Sequence, residues 1–309
     1  MSEKKTAIGH GMALITTLIW GTTFISTKVL LRSFAPVEIL FLRFLMGYLA
    51  LWLICPRVMR LNRRKEELYF AAAGLSGVTL YFLFENIALT YTLASNVGII
   101  ISAAPFFTAI LNYFFLGGSK PGIKFFIGFA SAMAGICLIS LNGGGSLELN
   151  PRGDLLAVLA AMVWAVYSTL TKKIGEFGYQ TIPMTRRIFC YGLIFMIPAL
   201  FGLNFHPQLG LMADPKNFLN ILFLGLGASA ACFVTWNMAV GILGSVKTSV
   251  YIYLVPVVTV VTSALVLKEQ ITIMMTAGMV LTIAGLFLSE SGHKKTKNCK
   301  TAVGKPDMI

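Results

Sequence analysis

The stretch WGTTFISTK at residues 20–28 has a counterpart in WAVYSTLTK at residues 164–172. In each stretch a tryptophan precedes a lysine by eight residues, and the two tryptophans are 144 residues apart. Other landmarks recur in the same order, as the pairs Arg43 and Arg187, Asn86 and Asn237, and Pro105 and Pro256. The chain therefore contains two copies of one unit. We place them at residues 8–142 and 153–291, between a short N-terminus (1–7) and a basic C-terminal tail (292–309).

The composition is that of a membrane protein. Of the 309 residues, 57% are hydrophobic and only 12% are charged, whereas soluble domains carry about 25% charged residues. Ten apolar runs approach or exceed the ~20 residues that a helix needs to cross a hydrocarbon core. They cover residues 8–31, 36–55, 67–89, 94–116, 121–142, 153–173, 183–203, 216–239, 246–267 and 271–291. The runs do not alternate as barrel strands do, and lipid requires the backbone to bond to itself. An all-α polytopic membrane protein with ten transmembrane helices is predicted.

The distribution of lysine and arginine predicts the topology. With a cytoplasmic N-terminus, 17 of the 25 basic residues lie in cytoplasmic segments, four on the opposite side and four within the spans. This bias follows the positive-inside rule and places both termini in the cytoplasm. Each copy has five spans, an odd number, so the second copy enters the bilayer from the opposite side. Two inverted five-helix repeats are typical of transporters that work by alternating access.

Other function classes lack support. The net charge of +13 is concentrated at the cytoplasmic side and in the tail, which we interpret as a topology anchor rather than a nucleic-acid-binding element. The five cysteines form no CxxC pair, and the three histidines are too scattered for a metal site. No hydrolase or nucleotide-binding motif is present. We expect neither enzymatic activity nor a cofactor.

Four stretches resemble the EamA family of the drug/metabolite transporter superfamily. They are WGTTF at 20–24, PVEILFLRF at 36–44, AMVWAVYSTLTKK at 161–173 and LVPVVTVVTSALVLKE at 254–269. The resemblance covers residues 8–290 as two EamA units. It implies ten helices, cytoplasmic termini and export or exchange of small metabolites such as amino acids. Leu267-Lys268-Glu269 resembles the family's Leu-Gly-Glu helix ending, whereas the first copy has Leu116-Gly117-Gly118 and lacks the acid.

Aromatic and polar residues inside the spans are candidates for a substrate cavity. Trp20 and Trp164 lie close to mid-bilayer, although tryptophan usually prefers the membrane interfaces. A cavity wall explains this depth, and packing within the bundle remains the alternative. Further hydroxyl and amide groups within or beside the spans come from Tyr81, Asn86, Tyr167, Tyr251 and Tyr253. Together these residues suit a small-molecule solute with an apolar body and a few polar groups.

The charged residues within the first three spans include Lys28, Glu38, Arg43 and Glu85. Isolated charges at this depth cost several kcal/mol, so two bases and two acids suggest neutralising pairs. Glu38 is near a span end, where its carboxylate could reach the interface. Glu85 has no acidic counterpart in the second copy, which makes it the candidate for proton coupling or for binding a substrate amine. The alternative is a structural partner of Lys28 or Arg43.

Two prolines and four glycines indicate how the helices are shaped. Pro105 and Pro256 each leave one carbonyl four residues earlier, of Ile101 or Ile252, without its helical donor. They are candidate hinges, with a static kink as the alternative. Gly128 and Gly135, like Gly278 and Gly285, lie seven residues apart on one helix face and predict close helix packing.

The sequence thus predicts a secondary transporter in the cell's inner (plasma) membrane that exports or exchanges small metabolites, amino acids or related solutes, by alternating access. The alternative is a facilitative, channel-like permease without proton coupling. The expected partners are the solute and the lipid bilayer, and both a monomer and a homodimer remain open.

Overall fold

The structure is a computed structural model that describes residues 3–91, 94–118, 120–142, 150–203, 205–206, 209–267 and 271–291. The α-helices in these ranges are α1 (Glu3–Leu30), α2 (Pro36–Ile54), α3 (Glu66–Gly74), α4 (Tyr81–Tyr91), α5 (Ala94–Ile101), α6 (Ala104–Leu116), α7 (Ile123–Asn142), α8 (Pro151–Gly175), α9 (Thr181–Gly202), α10 (Pro215–Leu222), α11 (Cys232–Leu243), α12 (Ser245–Ser249), α13 (Leu254–Leu267) and α14 (Ile273–Ser291).

These helices form the predicted spans. Within the described ranges, nine helical stretches are long and apolar enough to cross a membrane, and Ile123–Ile139 is a shorter tenth. The all-α membrane fold predicted from the sequence is therefore confirmed. The largest boundary difference is at α1, which begins at Glu3 instead of residue 8. An acidic residue in the first turn favours such an early start because it interacts with the helix dipole.

Four spans are interrupted: the third and eighth, where the sequence predicts continuous helices, and the fourth and ninth, beside the candidate hinges Pro105 and Pro256. The third and eighth spans contain the π-helical segments Leu75–Leu80 and Phe223–Ala231. Both segments end at corresponding positions of the two copies, 151 residues apart. The fourth span breaks between α5 and α6, and the ninth contains a 3₁₀ turn at Val250–Tyr253. Interrupted backbone at membrane depth is tolerated only when protein or a water-filled cavity surrounds it, so these segments should face the interior.

The fifth and tenth spans, α7 and α14, cross in backbone contact. A Cβ atom added to Gly128 would lie 2.7 Å from the carbonyl oxygen of Gly285, and one added to Gly135 would lie 2.6 Å from that of Gly278. The beginning of each helix meets the end of the other, so the helices are antiparallel. Gly128 corresponds to Gly278 and Gly135 to Gly285, so the two contacts exchange under a two-fold rotation. This geometry confirms that the repeats are inverted.

Each copy packs its first two helices against the other copy. Helix α1 packs on α11 and α13, and its counterpart α8 packs on α4 and α6. Helix α2 packs on the π segment Phe223–Ala231, and α9 packs on α3 and the π segment Leu75–Leu80. The largest hydrophobic cluster contains residues of both copies. The interior of the bundle is therefore an interface between the repeats.

The start of α1 and the end of α14 lie at the same end of the bundle. His10 near the start of α1 lies 3.4 Å from Glu290 near the end of α14, measured from Nε2 to Oε1. This contact agrees with an even number of crossings between them.

The glycine contact between α7 and α14 predicts a stability effect. Gly135→Ala should lower the free energy of unfolding by roughly 1–3 kcal/mol, because the methyl group has no room against the Gly278 carbonyl. Thermal unfolding of the detergent-solubilised protein measures this. Gly241→Ala in α11 is the matched control, since a Cβ there meets no atom within 4 Å. Equal unfolding temperatures for the two variants would contradict the packing argument.

Candidate functional site

Three tryptophans and a phenylalanine meet between the repeats and form what we call the aromatic centre. Trp20 comes from α1, Trp164 from α8, and Phe233 and Trp236 from α11. The ring of Trp20 lies 5.3 Å from that of Trp164, 5.1 Å from that of Trp236 and 5.9 Å from that of Phe233, between centroids. These separations are typical of favourable aromatic pairs. The structure therefore brings the two predicted tryptophans together and adds Trp236, which sequence reasoning missed.

Hydrogen-bond donors in the aromatic centre are only partly used. Trp20 donates from Nε1 to the carbonyl oxygen of Ala228 at 3.0 Å, within the π segment of the eighth span. Within the described residues, the indole nitrogens of Trp164 and Trp236 and the hydroxyl of Ser168 are buried and have no hydrogen-bond partner. Buried polar groups normally find a partner, and an exception suggests a water or ligand site.

Two of the predicted tyrosines extend this centre. The ring of Tyr81 lies 4.8 Å and that of Tyr167 5.1 Å from the Trp164 ring. Tyr167 donates its hydroxyl to Oδ1 of Asn237 at 2.9 Å, and Asn237 donates to the hydroxyl of Thr185 at 3.0 Å. Asn237 therefore links α8, α9 and α11. Its counterpart Asn86 is half-buried on α4, beside Glu85.

Arg43 and Glu85 are buried at the edge of the aromatic centre, with only 7% and 8% of their surfaces exposed. Arg43 donates from Nε to Ser229 Oγ at 3.0 Å, and its guanidinium carbon lies 4.6 Å from the Phe82 ring centroid. Glu85 lies close enough to Arg43 and Tyr81 to interact with both electrostatically. No ion pair of 4.0 Å or less joins Arg43 to Glu85. The site thus holds opposite charges that attract each other without direct contact.

The other charged candidates lie elsewhere. Glu38 accepts a hydrogen bond from the backbone nitrogen of Ala35 at 2.8 Å, so its carboxylate caps α2 and is not held at the aromatic centre. The backbone of Lys28 belongs to α1, but its side chain lies outside the described residues. Glu269 and the basic tail also lie outside them.

The counterpart of Arg43 makes different contacts. Arg187 binds the carboxylate of Glu67 in a bidentate ion pair, with Nε to Oε1 at 2.8 Å and Nη2 to Oε2 at 2.5 Å. This pair joins the seventh span to the start of the third. The two copies therefore carry equivalent arginines in unequal surroundings: one is paired at an end of the bundle, and the other is buried near an acid.

Two predicted cavity residues lie in another cluster. Tyr251 and Tyr253 belong to the 3₁₀ turn of the ninth span and pack with Phe125 and Leu286 from α7 and α14. The hydroxyl of Tyr251 and Nδ1 of His10 form a 2.7 Å hydrogen bond. The structure does not bring these tyrosines to the aromatic centre, because the turn directs them towards the fifth and tenth spans.

Pro105 and Pro256 each follow an interruption of their span. Pro105 is in the first turn of α6, directly after the break at residues 102–103. Pro256 is the third residue of α13, directly after the 3₁₀ turn. The missing N–H of proline is least costly near a helix start, which explains why both helices restart here.

A comparison with known proteins fits this architecture. The profile of the EamA-like transporter family matches residues 7–141 and 151–290, one match for each copy. The chain belongs to the EamA-like transporter family. This EamA protein is thus a multi-pass membrane transporter and not an enzyme.

Relatives of similar length are described as transporters, efflux pumps or exporters. A protein of Archaeoglobus fulgidus described as an uncharacterized transporter is 30% identical, covering 91% of this chain and 96% of its own. A "probable amino-acid metabolite efflux pump" of Escherichia coli is 27% identical, covering 94% of this chain and 97% of its own. A "probable terminal-alkyne amino-acid exporter" of Streptantibioticus cattleyicolor is also 27% identical, with coverages of 89% and 91%.

One solved structure shares the fold. A crystal structure described only as that of a protein superposes with a TM-score of 0.73 over 94% of this chain and 97% of its own, at 19% identity. This similarity concerns the fold alone.

The repeat contained a signal for Trp236, the site residue that sequence reasoning missed. Because Asn86 corresponds to Asn237, Glu85 corresponds to Trp236. One position of the repeat therefore faces the centre in both copies, carrying an acid in one and an indole in the other. Ser229, the hydrogen-bond partner of Arg43, had no such signal because it lies 186 residues away.

The Asn237 hydrogen bonds predict a measurable stability contribution in this EamA protein. Asn237→Ala should destabilise the fold by roughly 1–3 kcal/mol, because it leaves the buried hydroxyls of Tyr167 and Thr185 without this partner. Urea or thermal unfolding in detergent measures the effect. Asn220→Ala, which removes an exposed hydrogen bond on α10, is the control and should cost less. If Tyr167→Phe lowered the free energy of unfolding by the same amount in the Asn237→Ala variant as in the unmodified protein, the two residues would not be energetically coupled.

Proposed function

We propose that this EamA transporter exports or exchanges amino acids or related zwitterions across the plasma membrane by alternating access, with both termini cytoplasmic. The observation that carries the proposal is the buried Arg43 and Glu85, which attract each other without forming a direct ion pair. A buried charge without an oppositely charged group in contact is costly, so it is retained when function requires it. A zwitterion supplies one charge to each of them.

The chemistry of the site suits such a substrate. A carboxylate would bind the guanidinium of Arg43, which remains charged and offers several donors. The ammonium group would bind Glu85. The substrate's side chain would contact the aromatic centre, where Trp164, Trp236 and Ser168 have donors available. The relatives described as amino-acid exporters support the same substrate class.

The inverted repeats support alternating access. Both copies contribute to the aromatic centre, so an exchange of conformations between them would open it to one side and then to the other. The Arg187–Glu67 pair would hold one end closed. A single chain contributes all of these residues, which favours a monomer as the working unit over a homodimer.

Counterflow in proteoliposomes tests the substrate class. Labelled amino acids should enter faster when unlabelled amino acid is inside, and Arg43→Gln should reduce this uptake at least about tenfold by removing a charged hydrogen bond to the carboxylate. Arg32→Gln, at an exposed position between the first two spans, is the control and should retain uptake. Uptake indifferent to internal solute would instead favour the channel-like permease. Full activity of Arg43→Gln would refute the site.

Substitution of Glu85 separates its two possible roles. If Glu85 carries a proton, Glu85→Gln should abolish transport driven by a pH gradient and leave counterflow intact. If Glu85 binds the substrate amine, both should fall. Glu176→Gln, an exposed acid at the end of α8, is the control. Unchanged pH-driven transport and counterflow would remove Glu85 from the mechanism.

The interrupted fourth span predicts a kinetic effect. Pro105→Ala provides the missing donor and should favour a continuous helix, so the transport rate should fall several-fold while substrate binding persists. Initial rates and equilibrium binding measured on the same preparation test this. Pro198→Ala removes a proline from the uninterrupted helix α9 and should leave the rate nearly unchanged. Equal rates for the two variants and the unmodified protein would identify a static kink.

A further inference from the structure

A basic pocket lies at the end of the bundle, away from the aromatic centre. It is a cavity of about 480 Å³ beside the segment that joins the second and third spans. Its lining, which we call the arginine pocket, consists of Met59, Arg60, Leu61, Arg64, Glu67 and Arg187. Its volume falls within the range of ~300–1,000 Å³ that is common for organic ligands, and it exceeds what a bare inorganic ion requires.

The floor of the pocket, formed by Arg187 and Glu67, is hydrogen-bonded and electrically neutral. Arg187 uses Nε and Nη2 for the carboxylate of Glu67, and it donates from Nη1 to the carbonyl oxygen of Met59 at 2.8 Å. Tyr191 also donates its hydroxyl to Glu67. The negative charge of Glu67 is therefore already compensated and would not repel an anion strongly.

The rim of the pocket carries two uncompensated positive charges. Arg60 and Arg64 are exposed, and neither guanidinium group forms a hydrogen bond or ion pair with any part of the chain that the structure describes. The nearby acids are engaged, since Glu66 accepts from the hydroxyl of Tyr179 at 2.5 Å. The pocket thus has a net charge of +2 from its lining residues. The positive-inside rule explains basic residues in this segment, but it does not explain a cavity lined by three arginines.

The surroundings place the pocket beside lipid. Leu53 and Ile54 at the end of α2 are 73% and 67% exposed, and Val58 in the following segment is 82% exposed. Such apolar side chains at the end of a spanning helix would contact the bilayer. The pocket therefore opens where acyl chains and phosphate groups of lipids meet.

We propose that the arginine pocket binds a phosphate group, through Arg60 and Arg64. Arginine matches phosphate because its planar donors can form two parallel hydrogen bonds. Two free guanidinium groups balance a charge of up to −2. The apolar lining by Met59 and Leu61 suits the glycerol portion of a phospholipid headgroup. A soluble phosphate ester offers the same group, and the location beside lipid favours the headgroup.

Binding to the full-length protein in detergent tests this proposal. In the lipid arm of the experiment, native mass spectrometry measures the binding of phosphatidylglycerol, with phosphatidylcholine as the neutral comparison. In the soluble arm, the shift in unfolding temperature measures the binding of glycerol phosphate and of inorganic phosphate. The double variant Arg60→Gln/Arg64→Gln should weaken phosphatidylglycerol binding at least about tenfold. Its unfolding temperature without ligand should stay unchanged, since neither guanidinium group has a partner within the described residues.

A charge-matched control separates the pocket from general surface attraction. Lys120→Gln/Lys124→Gln removes two exposed charges near the start of α7, at the same end of the bundle because two crossings separate the segments. This variant should change binding less than about twofold. Selective loss in the lipid arm identifies a headgroup site, and selective loss in the soluble arm identifies a phosphate-ester site. Equal weakening by both double variants, or no binding in either arm, would overturn the proposal. None of these outcomes depends on the transported substrate.

Discussion

Backbone contact between helices of opposite repeats is the constraint on which this structure depends. Lipid offers no hydrophobic driving force between helices, so they associate through close packing and polar contacts. At the crossing of α7 and α14, glycine carbonyls lie where a side chain would otherwise be. The same close approach recurs at Gly77, where a Cβ would lie only 2.1 Å from the ring of Tyr167. These contacts hold the copies in a two-fold arrangement, and the swapped packing of α1 and α8 follows from it.

The π-helical segments connect this packing to the site. In the eighth span, Ala228 and Ser229 accept the hydrogen bonds of Trp20 and Arg43. In the third span, Thr79 donates to the carbonyl oxygen of Gly192 at 2.8 Å. Each π segment thus binds helices of the opposite copy, and π turns are frequent at functional sites. Most residues of the two π segments are buried or half-buried.

The two arginines of the repeat show how one scaffold acquires unequal halves. Arg187 has a bidentate partner in Glu67, and such a pair is favourable because its geometry satisfies both groups. Arg43 lies in a more apolar environment, over the ring of Phe82, with a serine as its hydrogen-bond partner. The repeat identifies the two arginines as equivalent positions. It does not distinguish their surroundings, because their partners come from residues far apart in the chain. Glu38 differs from both arginines, because its partner is local: its carboxylate accepts from the backbone nitrogen of Ala35 at the start of α2.

Composition and periodicity alone determined the spans, their number and the inversion of the second copy, because the bilayer imposes length and hydrophobicity on every crossing helix. The repeat also identified Trp20, Trp164 and the two prolines as paired features. Only the tertiary structure decided which side chains share a site. In the structure, Trp236 packs on Trp20 and Tyr251 is hydrogen-bonded to His10. Arg43 forms no direct ion pair with Glu85. The physical reason is that lipid selects for apolar surface along each helix, whereas the site arises from packing between helices more than a hundred residues apart.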